Sequence, residues 1–127
     1  MKCVSLCLLL SLILYSCNEE EIKLNYSRDE MLGWARSADP TMQIKVGTID
    51  KALVDCKDYK IRCRIGYMVV IKRLYMKALY YESQIDARES ARRLKAYRSR
   101  NWVFDDVRGE PILERFVVDN LKAEKSF

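Results

Sequence analysis

The sequence predicts an α+β domain built on a small antiparallel sheet, and three observations lead there. Residues 41–47, TMQIKVG, alternate with period two: Met42, Ile44 and Val46 face one way, Thr41, Gln43 and Lys45 the other, the mark of a half-buried strand. Two later stretches place apolar residues at three- and four-residue spacings behind helix-start signals. Ahead of both, Val69, Val70, Ile71, Tyr75, Tyr80 and Tyr81 concentrate strand formers. A sheet of about four antiparallel strands with two to three helices on one face would bury these stripes; the alternative is a mostly α chain.

Each element has its own justification. Ser27 and Glu30 form a capping-box pattern, so a helix is expected over 27–38, with Met31, Trp34, Ala35 and Ala38 on one face and Pro40 as its stop. The strand over 41–47 ends at Gly47, and residues 48–55 read as no more than a helical turn. The stretch 66–82 fits two readings. Tyr67, Ile71, Leu74, Ala78, Tyr81 and Ile85 keep helical spacing, but a helix would then run unbroken to Arg100, long for a small domain. The hairpin, turning near Arg73 and Leu74, is favoured. Ser83 and Asp86 start a helix expected to reach about Ser99, with Ala87, Ala91, Leu94 and Tyr97 as its stripe. Residues 101–111, NWVFDDVRGEP, read as strand then turn, with Trp102 and Phe104 on one face and Val103 and Val107 on the other. Glu110 and Pro111 open a last helix with Leu113, Phe116, Val117 and Leu121 buried; the polar tail from Ala123 is expected to fray. The order is reminiscent of ferredoxin-like folds as a pattern.

The amino terminus reads as an address. Lys2 precedes an apolar run over residues 3–15, then Ser16, Cys17, Asn18 and three glutamates. A bilayer-spanning helix needs about 20 apolar residues; a charged start, a short apolar run and a small residue before a cleavage point mark a secretory signal. Leu14-Tyr15-Ser16-Cys17 resembles the lipobox of bacterial lipoprotein precursors, with Tyr15 bulkier than usual at its position. That resemblance covers residues 1–18 only. It implies cleavage after Ser16, a diacylglyceryl group on the Cys17 sulfur, and a further acyl chain, such as palmitate, on the new amino group. Two or more chains anchor stably where one does not, at about 0.8 kcal/mol per buried CH₂. Asn18, rather than Asp, implies by analogy the outer membrane, facing the periplasm. The expected organisation is a removed signal over 1–16, a lipidated cysteine and tether over 17–26, spanning about 17 Å root-mean-square, and one globular domain over 27–127.

Processing makes the cysteines even. Cys3 and Cys7 leave with the signal, Cys17 is lipidated, and Cys56 and Cys63 remain, expected as a disulfide in an oxidising compartment. Closing that loop would contribute about 2.5 kcal/mol. Seven residues of helix rise about 10 Å, beyond disulfide reach, so residues 56–63 should be a loop. Two cysteines without a histidine are too few for a structural zinc site, and neither metal nor cofactor is expected.

The chain has no histidine and only four glycines. The common general base, the Ser-His and Cys-His pairs and a glycine-rich phosphate loop are all missing, and the protein reads as no enzyme. Asp105, Asp106 and Glu110 are the only clustered carboxylates, and adjacent strand residues should send Asp105 and Asp106 to opposite faces. Charge is more informative. Residues 57–100 hold 13 Lys and Arg against 4 Asp and Glu, a net of +9, while residues 18–56 net −3 and residues 101–127 net −2. Lys57, Lys60, Arg62, Arg64, Arg92, Arg93, Lys95, Arg98 and Arg100 are the candidate anion- or partner-binding residues, interleaved with Tyr59, Tyr67, Tyr75, Tyr80, Tyr81 and Tyr97. The expectation is a membrane-anchored, non-catalytic binding or accessory module whose partner is an envelope protein or an anionic lipid or glycolipid. A protective or exclusion lipoprotein is the alternative. In a cytosolic chain the same basic, tyrosine-rich region would suggest single-stranded nucleic acid, which the leader argues against.

Overall fold

In the computed structural model, which describes residues 25–45, 47 and 53–127, Ser27 opens the first helix as its sequence demands. Its hydroxyl accepts from the Glu30 amide (3.2 Å) and the Glu30 carboxylate accepts from the Ser27 amide (2.9 Å), closing the capping box on α1, Arg28–Ala38. Strand β1, Gln43–Lys45, pairs antiparallel with β2, Ile65–Ile71, which pairs with β3, Leu74–Tyr80. Residues 66–82 therefore contain the hairpin, and its turn is Lys72-Arg73, both in the left-handed region at φ 49° and 69°. Ser83 caps α2, Gln84–Leu94; then come β4, Tyr97–Ser99, β5, Trp102–Asp105, α3, Pro111–Asn120, and β6, Glu124–Lys125. Glu110 caps α3 and Pro111 occupies its first turn. Val46, residues 48–52 and the leader with Cys17 lie outside the described residues.

The six strands are ordered β1-β2-β3-β5-β4-β6, every pairing antiparallel. The run β3-α2-β4-β5-α3-β6 has the βαββαβ element order of ferredoxin-like folds, but not their strand order, so the expected ferredoxin-like arrangement is not formed. Helix α2 joins β3 to the parallel strand β4 with β5 between them, and α3 joins β5 to β6 with β4 between them. Such crossovers are right-handed in almost all proteins. Both step the same way across the sheet, but they start from antiparallel strands. The same hand therefore sends α2 and α3 to opposite faces.

The packing agrees, and it corrects the expectation of helices on one face. One core joins Met31 and Ala35 of α1 and Leu113, Phe116 and Val117 of α3 to Val69, Ile71, Met76, Ala78, Tyr97, Trp102 and Phe104. The other joins Ala87 and Ala91 of α2 and the segment Val54–Cys63 to Leu79, Tyr81 and Val103. Trp102 is fully buried, stacked on Tyr67 at 6.0 Å and edge-on to Tyr80 at 5.1 Å. Two faces needing cover, rather than one, is why three helices and the disulfide segment are all required.

Three further expectations change. The second helix stops at Leu94, not Ser99. Lys95 enters the left-handed region at φ 50°, and the amides of Lys95 and Ala96 bond back to Arg92 and Ala91, a Schellman ending usually written with glycine. Tyr97, freed from the helix, enters the sheet. Val107 joins the same core as Trp102 and Phe104, because Asp106 at φ 62° breaks the strand alternation. The tail is held: Ala123 is buried, Glu124–Lys125 extends the sheet beside β4, and the Phe127 ring meets Tyr97 edge-on at 5.6 Å.

Candidate anion-binding cleft

Asn101, in the turn between β4 and β5, has no exposed surface. Its side-chain oxygen accepts from the Tyr26 amide at 2.7 Å, and its amide nitrogen donates to the Tyr26 carbonyl (3.3 Å) and the Tyr81 carbonyl (3.0 Å). The Trp102 indole also donates to the Tyr26 carbonyl at 2.9 Å. Buried backbone groups need such partners, and here they pin the incoming chain to the sheet. The domain therefore begins before Ser27; Tyr26, placed with the tether by sequence, packs against the core with Trp34 edge-on at 4.8 Å.

Around that anchored tyrosine lies a cleft of about 280 Å³ lined by Tyr26, Gln84, Arg98, Arg100, Lys122 and Glu124. Arg98 comes from β4 and Arg100 from the turn after it. Lys122 arrives from the end of α3, because β6 pairs beside β4 with Arg98 opposite Glu124. Lys122 Nζ sits 4.4 Å from the Trp34 ring centre and 5.5 Å from that of Tyr26; the Arg100 guanidinium is 5.5 Å from Tyr26. These are cation–π distances. Arg98 donates to the Arg100 carbonyl at 2.9 Å, and Arg100 Nε approaches the Tyr26 hydroxyl oxygen at 3.4 Å. Burial, together with the neighbouring charges of Arg88 and Arg100, holds the Arg98 guanidinium below its ordinary pKa, against the pull of Glu124.

No ion pair among the described residues involves Arg98, Arg100 or Lys122. Among the described residues the cleft thus carries three cations to one carboxylate. Two of the cations stand on left-handed backbone, Arg100 at φ 56° and Lys122 at φ 57°, a conformation that costs a non-glycine residue about 1 kcal/mol. Guanidinium, ammonium, phenol and amide groups are hydrogen-bond donors, so the arrangement is suited to holding an anion.

The nine basic residues picked from sequence are spread over the disulfide segment, α2, β4 and the turn after it. Only Arg98 and Arg100 enter the cleft. Arg92 and Arg93 share Glu89, at 2.9 and 3.1 Å, and Arg64 pairs with Glu82 at 3.1 Å. Lys57, Lys60, Arg62 and Lys95 are exposed on the disulfide segment and at the end of α2. In that segment Cys56 and Cys63 are disulfide-bonded with Cα atoms 5.0 Å apart. A 3₁₀ turn, Cys56–Asp58, starts the loop. The Tyr81 hydroxyl pins its far end, donating to the Ile61 carbonyl at 3.0 Å beside Ser90 at 2.6 Å. Sequence reading missed Lys122 and Tyr26. Lys122 sits in a segment of net negative charge, and only the pairing of β6 brings it to Arg98.

The carboxylates are each engaged. Asp105 accepts from the Tyr59 hydroxyl at 3.1 Å, Asp106 pairs with Lys77 at 3.2 Å, and Glu110 caps α3. Asp105 and Asp106 do not diverge as expected. The left-handed backbone at Asp106 turns it back toward Lys77, which stands opposite Asp105 in the sheet. Burial first, and then the Asp105 charge, pushes the Tyr59 phenol far above its ordinary pKa.

No protein family, curated protein or solved structure matches the chain. Among the described residues no helix is long and apolar enough to cross a membrane, and no three of His, Cys, Asp and Glu are grouped to hold a metal ion.

Proposed function

We propose that this protein is a lipid-anchored, non-catalytic binding module of the bacterial envelope that holds an anionic envelope component in the cleft at Tyr26. The observation that carries this reading is the gathering of Arg98, Arg100 and Lys122 around Tyr26 with no ion pair among the described residues to absorb their charge. The position of the cleft supports the anchor as well. Tyr26 stands nine positions after Cys17, so the cleft lies within about 30 Å of the acylated residue even with the tether fully extended. Each cation close to an anionic leaflet contributes about 1 kcal/mol of attraction.

Site-specific photocrosslinking in bacteria expressing the full chain tests it, with the photoreactive residue at Gln84, inside the cleft, or at Ile112, an exposed site on α3. The reading expects a product from position 84 that Arg100→Glu removes and that position 112 does not give. Equal products from both positions, or a product that is nucleic acid, would refute it.

A further inference from the structure

The cleft is specific enough in shape and charge to name the class of its ligand. We propose that it is a site for a phosphomonoester borne on a hydroxyl-rich alcohol, a phosphorylated sugar or glycerol; this rests on the reading of the cleft as the protein's binding site. Three donors of different reach converge there: the guanidinium forks of Arg98 and Arg100 and the ammonium of Lys122. A carboxylate offers two oxygens and one charge. A phosphomonoester offers three oxygens and a charge of about −1.5 to −2 at neutral pH, matching the excess of two among the described lining residues, three cations with one carboxylate. Arginine presents its donors in a planar fork that fits phosphate oxygens in pairs.

The other lining groups fit the rest of such a molecule. Glu124 accepts hydrogen bonds, so within a basic cleft it selects a neighbour with hydroxyl groups and opposes a second phosphate. The Tyr26 ring, beneath two of the cations, holds them at the cleft where a sugar or glycerol phosphate would sit. A volume of about 280 Å³ suits one headgroup rather than a polymer strand. The left-handed backbone at Arg100 and Lys122 is the strain expected where position matters more than local stability.

Trp34 reports on the site. It lies against Lys122 and Tyr26, whereas Trp102 is fully buried. The full chain in neutral detergent is titrated with glucose 1-phosphate while Trp34 emission is followed. A saturable change is expected, weakened by salt and weakened about tenfold or more by Arg100→Gln and by the more exposed Lys122→Gln. The doublet Arg92→Gln with Arg93→Gln, whose cations are held by Glu89, should stay within about twofold of wild type. No saturable change, or an equal loss in the doublet, overturns the proposal.

Lipid nanodiscs identify the source of the phosphate. Competition by monophosphoryl lipid A, a phosphomonoester on a sugar, but not by phosphatidylglycerol assigns it to a membrane headgroup. Competition by neither assigns it to a soluble ester, and the site stands in both cases. Equal competition by both lipids means diffuse surface charge and overturns it. Glucose 1-phosphate binding by a protein that takes no acyl label would leave this site intact while the envelope reading fell.

Discussion

Replacing Asn101 with alanine should loosen the domain at the point where the chain enters it. The side chain has no exposed surface and makes three hydrogen bonds, at 2.7, 3.0 and 3.3 Å. The Tyr26 carbonyl keeps the Trp102 indole as a donor, so two groups are orphaned: the Tyr26 amide and the third partner, the Tyr81 carbonyl. An unsatisfied buried polar group costs about 1–3 kcal/mol. With the small cavity added, the expected loss is about 3 kcal/mol, a large part of a domain stability of about 5–15 kcal/mol. At this size that lowers Tm by about 15 °C. Urea unfolding gives the free energy, and hydrogen exchange of the Tyr26 amide reports the local contact. Asn101→Asp should do no better, since it loses both donor bonds and sets a charge against two carbonyls. A loss below about 1 kcal/mol, or a Tyr26 amide already unprotected in the wild type, would refute the clamp.

Other changes follow from the same structure. The turn Lys72-Arg73 places two cations where Asn-Gly is preferred, so Lys72→Asn with Arg73→Gly should raise stability by about 1 kcal/mol; an unchanged urea midpoint would contradict a type I′ turn. A Cβ on Gly66 would clash with Val54 Cγ1, so Gly66→Ala should cost about 1–3 kcal/mol and be partly relieved by Val54→Ala, with urea midpoints as the check. Alkaline stability depends on tyrosines. Burial, with the Glu114 hydrogen bond, pushes Tyr97 up to about 12, and burial raises Tyr59 and Tyr81 as well. A raised phenol is neutral in the folded state while the unfolded chain already ionises. Its contribution is therefore whole below about pH 10 and is lost as pH climbs toward the folded value, at up to about 1.4 kcal/mol per unit for each tyrosine. Tyr97→Phe should flatten that decline by one tyrosine's share, and an unchanged slope would count against the assignment.

Local chemistry was legible in the sequence where the signal and its effect are a few residues apart. Ser27 with Glu30, Ser83 before α2 and Pro111 at the start of α3 each mark a helix start, and the structure places those starts there. The run of β-branched and aromatic residues over 66–82 correctly outweighed its helical spacing. What misled were turns written without glycine. Among the described residues, the non-glycine positions with positive φ are Lys72, Arg73, Lys95, Arg100, Asp106 and Lys122, and of these only Asp106 is of a type that readily takes a left-handed conformation. Lys95 hid the end of α2, and Asp106 hid the fold-back that sends Val107 into the core. The division of the helices between two faces was hidden too, because handedness decides it only once strand order is known. Half of the cleft was out of reach for a similar reason. Arg98 and Arg100 stand out in a basic stretch, but Tyr26 and Lys122 lie 96 positions apart (122 minus 26), and only Asn101 and the β4–β6 pairing unite them.

The central claim is that this basic cleft works from a membrane anchor at Cys17, and acyl labelling tests that most directly. Wild type and Cys17→Ala are expressed in a bacterial host with labelled palmitate, followed by fractionation of the envelope. The account expects label and membrane retention in the wild type and loss of both in the variant. If neither protein takes label and both remain in the cytoplasm, the envelope assignment is contradicted, and a nucleic-acid ligand for the basic, tyrosine-rich region becomes the reading to pursue.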